Sequence, residues 1–168
     1  IDAASSEIHG LSQRGGFLLT HIRTGRYYRS PAVPLNSSDL IISLELVEPL
    51  RHLSLMSGDT TVVVNTTKVA PLSVNLRKET YPGKEEIIHH LKERAGVVHL
   101  VDAGSVASEL GSPLSSNMVM LGYLASSGVL GLDAAIVRET VMENSPQKFR
   151  EINTRAFEAG MSLEPTRY

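Results

Sequence analysis

The sequence predicts an α/β fold: a mostly parallel β-sheet covered by helices on both faces. Three observations carry that expectation. Leu40 to Leu44, Thr60 to Val64 and Val97 to Val101 are short apolar runs, rich in β-branched residues and without polar alternation, as strands buried on both faces require. Stretches with helical start and stop signals separate them, the arrangement of strand–helix–strand units. At 168 residues the chain suits a single domain with room for a real core.

The elements follow in order. Ile1 to Ser6 reads as the end of a strand, and Phe17 to Arg23 as a short strand that Thr24-Gly25 turns into Arg26 to Arg29. Ser30 to Ser38, with two prolines, reads as loop. After the Leu40 strand a helix is expected from about Val47, with Pro49 in its first turn, Gly58 past its end, and Leu46, Leu50, Leu53 and Met56 facing the sheet. Lys68 to Tyr81 shows no clean period and fits an edge strand or a cover. Pro82-Gly83 then opens a helix with Glu85 and Glu86 in its first turn and Lys92 and Arg94 in its last, placements that suit the helix dipole; Ile87, Ile88 and Leu91 are its buried stripe.

Beyond the Val97 strand a short helix ends near Gly111, and Ser112-Pro113 opens one that runs to about Ser127 and stops at Gly128. Asp133 and Ser145-Pro146 cap two more, the last turning Phe149, Ile152, Ala156 and Phe157 inward and stopping at Gly160. Gly122 inside a helix costs about 1 kcal/mol against alanine, which points to close helix packing. The whole reads as one Rossmann-like domain over residues 1–168.

Composition narrows the function. Sixteen basic against eighteen acidic residues leave a net charge of −2, which gives no electrostatic footing for nucleic acid or an anionic membrane. Tryptophan is absent and aromatics make up 5%, so stacking platforms for single strands are missing. No apolar run approaches the roughly 18 residues of a membrane span, and no signal peptide is visible, so the expected location is cytoplasmic. The chain has no cysteine, which excludes disulfides, a thiolate nucleophile and a cysteine-ligated iron–sulfur cluster. Six histidines show no metal-ligand spacing; His89 and His90 point about 100° apart on a helix, and His99 reads as a hydrogen-bonded core residue.

Chemistry concentrates in Glu7-Ile8-His9-Gly10-Leu11-Ser12-Gln13-Arg14-Gly15-Gly16. The glycines permit close backbone approach, and Glu7, His9, Ser12, Gln13 and Arg14 offer both donors and acceptors. A loop of this content is either a binding surface or a tightly bonded turn. Elsewhere Glu45, Asn65 and Asp102 each follow an apolar run, as Glu7 does, at the strand ends where open parallel sheets bind ligands. For Asn65 and Asp102 the competing role is to cap the next helix.

Glu-x-His-Gly-x-Ser-Gln-Arg-Gly-Gly resembles the signature of the gamma subunit or domain of 2-oxoacid:ferredoxin oxidoreductases, the family of the pyruvate, ketoisovalerate, 2-oxoglutarate and indolepyruvate enzymes. The likeness continues through Ser38-Asp39-Leu40, Leu44-Glu45, Val63-Val64-Asn65-Thr66, Val101-Asp102-Ala103, Asn117-Met118-Val119-Met120-Leu121-Gly122 and Glu151-Ile152-Asn153-Thr154-Arg155-Ala156-Phe157. The family opens with a strand and a Gly-x-Gly-Gly-Gln-Gly turn that this sequence lacks, so a further βα unit is expected before Ile1. The resemblance implies an accessory subunit of a complex that oxidatively decarboxylates a 2-oxoacid to acyl-CoA. Thiamine diphosphate and iron–sulfur clusters would sit on thiamine-binding and ferredoxin-like partner subunits. On that reading Glu7, His9, Ser12, Gln13, Arg14, Gly15, Gly16, Glu45, Asn65, Asp102 and Asn117 are binding or interface residues. The isolated chain would be inactive, with room for coenzyme A at the interface and for a homodimer of the chain alone. The other reading is an independent Rossmann-like module that binds a nucleotide or flavin; the absence of Gly-x-Gly-x-x-G counts against it.

Overall fold

A computed structural model describes residues 2–10, 18–25, 30–68, 81–164 and 166–168. Two sheets form. The smaller is an antiparallel hairpin of β1 (Ala3–His9) and β2 (Leu18–Thr24), paired from Ala3↔Thr24 to His9↔Leu18. The larger has the order β3 (Leu40–Ser43), β4 (Thr61–Asn65), β5 (Val97–Val101), β6 (Thr166–Arg167). Its first three strands are parallel and β6 is antiparallel. The three predicted core strands are therefore all present, adjacent and in register.

Their alternating side chains divide two cores. Val62, Val64, Val98 and Leu100 face α1 (Lys84–Lys92), whose Ile87, Ile88 and Leu91 are buried with Leu46 and Met56. Val63 and Val101 face the opposite way, onto α2 (Ala103–Glu109) and α3 (Ser116–Ser126). β4, and β5 beyond Val97, are covered on both faces and read as continuous apolar runs, while β3 leaves Ile42 45% exposed. α4 (Ala134–Asn144) and α5 (Arg150–Met161) complete the second layer. Asp133 caps α4 as predicted, accepting from the N–H of Ala135 at 2.7 Å.

Three expectations are corrected. The helix expected from Val47 is a 3-10 segment, Glu48–Leu55, with a kink at His52 (φ −120°, ψ 18°). There the Glu45 carboxylate takes the N–H groups of Val47 and Glu48 at 2.7 and 3.1 Å, and Pro49 has none to give. β2 pairs with β1, and Gly25 turns the chain after it at φ +112°; the expected continuation through Arg26 to Arg29 lies outside the described residues. Phe149 does not point inward but is 48% exposed, because it falls in a 3-10 turn (Gln147–Phe149) that precedes α5. Gly160 does not stop the last helix, which continues to Met161. It is instead a contact point: a Cβ on Gly160 would collide with the backbone of Val119, and one on Gly122 with the backbone of Phe157. The packing role expected of Gly122 thus belongs to a reciprocal glycine crossing of α3 and α5. Lys68 to Tyr81 falls mostly outside the described residues.

His99 is a core histidine, 5% exposed, with Nδ1 hydrogen-bonded to the Tyr123 hydroxyl. Burial, and then the Arg167 guanidinium opposite it on β6, hold its pKa below the ordinary imidazole value. His52 moves the same way, by burial against the pull of Glu48. Below about pH 6.5 the unfolded chain takes up protons that the folded chain refuses. Their stabilisation is therefore complete above that pH and lost as pH falls through the lower folded values. Urea midpoints measured from pH 8 to 5 should fall accordingly, and His99→Gln should flatten the slope; an unchanged slope would remove His99 as a cause.

Candidate functional site

The predicted residues fall into two separate places. Glu45 follows β3, Asn65 ends β4 and Asp102 follows β5, all at one edge of the large sheet, its carboxyl end, as expected. Glu7 does not join them: it stands in the hairpin, a different sheet. The four-residue rim read from sequence is a three-residue rim, because the run before Glu7 belongs to an antiparallel ribbon.

At the rim each polar side chain is engaged with backbone. Asn65, 1% exposed, donates from Nδ2 to the Leu44 carbonyl at 3.2 Å. Its Oδ1 accepts from the Thr67 N–H and hydroxyl and, at 3.2 Å, from the Ala103 N–H at the start of α2. One side chain thus ties the ends of β3 and β4 to the helix after β5. Asp102 caps α2 through the Ser105 N–H at 3.2 Å. Glu45 holds the 3-10 segment with Oε2 and accepts the Tyr81 hydroxyl on Oε1 at 2.5 Å. Burial, then that bond to Glu45, push the Tyr81 phenol above its ordinary pKa. The capping roles weighed for Asn65 and Asp102 are thus what the geometry shows.

Beside the rim lies an open groove of about 670 Å³, lined by Thr66, Thr67, Asp102, Ser105, Ser108 and Glu109 among others. Sequence reading missed it and also missed Tyr81. Its only sequence signal was a string of hydroxyl residues after each strand, and Tyr81 sits next to a stretch without period. Among its described lining residues the groove carries two carboxylates, Asp102 and Glu109, and several hydroxyls. Asn117 is exposed in the first turn of α3, its Oδ1 on the Met118 N–H at 2.9 Å, one residue beyond Ser116 of the groove lining.

The other place is the hairpin arm. Glu7 and His9 lie exposed on one face of it, 3.7 Å apart. Ser12, Gln13, Arg14, Gly15 and Gly16 belong to residues 11–17, between β1 and β2 and outside the described residues. The arm is rooted at His21, 8% exposed, whose Nδ1 accepts from the Val33 N–H at 3.0 Å. Arg23 adds a bond from Nη1 to the Ser30 carbonyl at 2.8 Å. Among the described residues no group of three or more metal-ligating side chains forms, and no helix is long and apolar enough to cross a membrane.

The model of the pyruvate ferredoxin/flavodoxin oxidoreductase family matches residues 1–163. The chain belongs to that family. It is 36% identical over 160 residues to the indolepyruvate oxidoreductase subunit IorB of Methanothermobacter thermautotrophicus, covering 95% of this chain and 81% of that protein. The Archaeoglobus fulgidus protein of the same name is 32% identical, with 95% and 79% covered. Among solved structures, the pyruvate oxidoreductase subunit PORC of Thermotoga maritima superposes with a TM-score of 0.63 at 18% identity, over 99% of this chain and 81% of that one. The gamma subunit of a keto/oxoacid ferredoxin oxidoreductase from Geobacter sulfurreducens gives 0.54 at 18%, over 94% and 77%; these two likenesses show the shared fold. The resemblance read from the signature is therefore correct, and the chain is a subunit of a multi-subunit ferredoxin oxidoreductase complex.

Proposed function

We propose that this chain is the accessory subunit of a cytoplasmic enzyme that decarboxylates an aryl 2-oxoacid of the indolepyruvate kind, passing electrons to ferredoxin and the acyl group to coenzyme A. The family match across residues 1–163 carries the reading, and the relatives named for indolepyruvate support the substrate class. The residues present do not fit an iron–sulfur cluster, since the sequence holds no cysteine. Cluster and thiamine chemistry then belong to thiamine-binding and ferredoxin-like partners, and this chain supplies binding surface. Arg14, with the amides of Gly15 and Gly16, matches an anionic group, whether a phosphate of coenzyme A or a partner carboxylate.

The test is reduction of a viologen dye with 2-oxoacid, thiamine diphosphate and coenzyme A supplied. The isolated chain should show no turnover, and activity should return when the partner subunits are added. Enzyme-like turnover by the chain alone would overturn the accessory role. Arg14→Ala should leave stability within roughly 0.5 kcal/mol, as an ordinary surface change does, while weakening assembly or raising the coenzyme A requirement. A loss of about 3–5 kcal/mol would instead make Arg14 one member of a buried pair.

A further inference from the structure

We propose that β6 is a proton-sensitive clasp: when His99 takes up a proton, Thr166 to Tyr168 leaves the large sheet and bares the outer edge of β5, while the rest of the fold stays intact. Residues directly opposite in an antiparallel pair share a face, and β6 sets Arg167 directly opposite His99. His99 is buried, whereas both residues of β6 are exposed. The titratable group is therefore the fixed one, and the permanent charge sits on the element that can move. Little holds that element. Tyr168 and Val98 exchange N–H to carbonyl bonds at 2.9 and 3.0 Å, and the Lys92 ammonium of α1 lies 5.4 Å from the centre of the Tyr168 ring. An exposed strand of two residues belongs to the parts of a fold that open locally at low cost.

The groups around His99 decide the direction. β4 places Val63 beside it, and neither β4 nor α3 contains a charged residue. From α3 comes the Tyr123 hydroxyl on Nδ1; a phenol accepts as well as donates, so it serves either form of the imidazole. From β6 comes the Arg167 guanidinium, and Lys92 stands over the neighbouring Tyr168. Among the described residues neither His99 nor Arg167 makes an ion pair with a carboxylate. An imidazolium here would face a guanidinium across the strands, and like charges directly opposite are destabilising. Release of β6 carries that guanidinium away and lets water reach the ring. The pKa of His99, held low by burial and then by Arg167, thus returns toward the ordinary histidine value of about 6.5. Acid therefore favours the released form. The effect begins near that value and grows by up to about tenfold per pH unit, until the lower value of the clasped form is reached.

The test is amide hydrogen exchange of the full chain by NMR between about pH 7.5 and 5, each rate divided by the intrinsic rate at that pH. Protection of the Val98 and Tyr168 amides should fall below about pH 6.5, by up to about tenfold per pH unit. The Thr66 amide, bonded to the Val101 carbonyl on the other side of β5 at 2.9 Å, should keep its protection. His99→Gln should abolish the fall. Arg167 is exposed, so its variants should fold even where a change at His99 does not. Arg167→Gln should shrink the total fall and Arg167→Glu shrink it further, because a carboxylate then faces the imidazolium. Constant protection at Val98 and Tyr168 overturns the clasp, and so does the lack of any protection at pH 7.5, which means that β6 is never closed. An equal fall at Thr66 overturns it as well, since the domain then opens as a whole. A fall that neither Arg167 variant alters leaves the clasp without its sensor and overturns it too.

Discussion

Gly160→Ala is expected to lower the unfolding free energy by about 2–3 kcal/mol. Alanine is the better helix former by about 1 kcal/mol, so an exposed site would gain from this change. At Gly160 the added Cβ would enter the space of the Val119 carbonyl and Cα, and at Gly122 that of the Phe157 carbonyl and the Met161 nitrogen. These are backbone atoms of the facing helix. No rotamer change relieves them, and α3 and α5 would have to separate along a contact that buries Val119, Tyr123, Ala156 and Phe157. Overpacking of a tight core costs about 1–3 kcal/mol and at times more, enough to outweigh the propensity gain. The double change at Gly122 and Gly160 should cost less than the two singles together, since both open the same crossing. Gly83→Ala is the control: nothing lies within 4 Å of its Cβ position and its φ is −65°. Urea titration of the four variants decides the matter, and a stabilised Gly160→Ala would show that the crossing relaxes freely.

Asn65→Ala is expected to cost about 3 kcal/mol, against about 1 kcal/mol for loss of the exposed cap in Asp102→Ala. Both residues stand at the end of a strand's apolar run and both hold the start of α2, so sequence context alone would rank them together. Asn65 differs in being 1% exposed and in serving three segments at once. Removing it strands the buried Ala103 N–H and loses the part-buried bond to the Leu44 carbonyl; an orphaned buried group costs about 1–3 kcal/mol. Asn65→Asp separates the terms: it keeps the acceptor for Ala103, loses the donor to Leu44 and buries a charge. Equal losses at Asn65 and Asp102 would contradict the ranking.

The two expected losses mark the boundary between what was legible in the sequence and what was not. The parallel strands could be read because burial on both faces makes most of Thr61 to Asn65 and Val97 to Val101 apolar without alternation. Leu40 to Ser43 beside them is a short apolar run of the same kind, although Ile42 is exposed. The start of α1 and the cap of α4 could be read because Gly83 and Asp133 act on neighbours within a few residues. Hydrogen-bonded His99 and close-packed Gly122 were also legible, since an imidazole in an apolar strand or a glycine within a helix has few other uses. The family signature, by its order along nearly the whole chain, pointed to the oxidoreductase family.

The sequence by itself thus determined the strands, the caps, the absence of any thiolate chemistry and the family. Tertiary structure alone decided which strands pair, that Glu7 leaves the rim for the arm, and that Gly160 is a crossing point rather than a stop. The physical reason is range. A cap or a buried run depends on neighbours a few residues away, whereas Asn65 to Ala103, Tyr81 to Glu45 and Gly160 to Val119 join residues about forty apart, which no local pattern records.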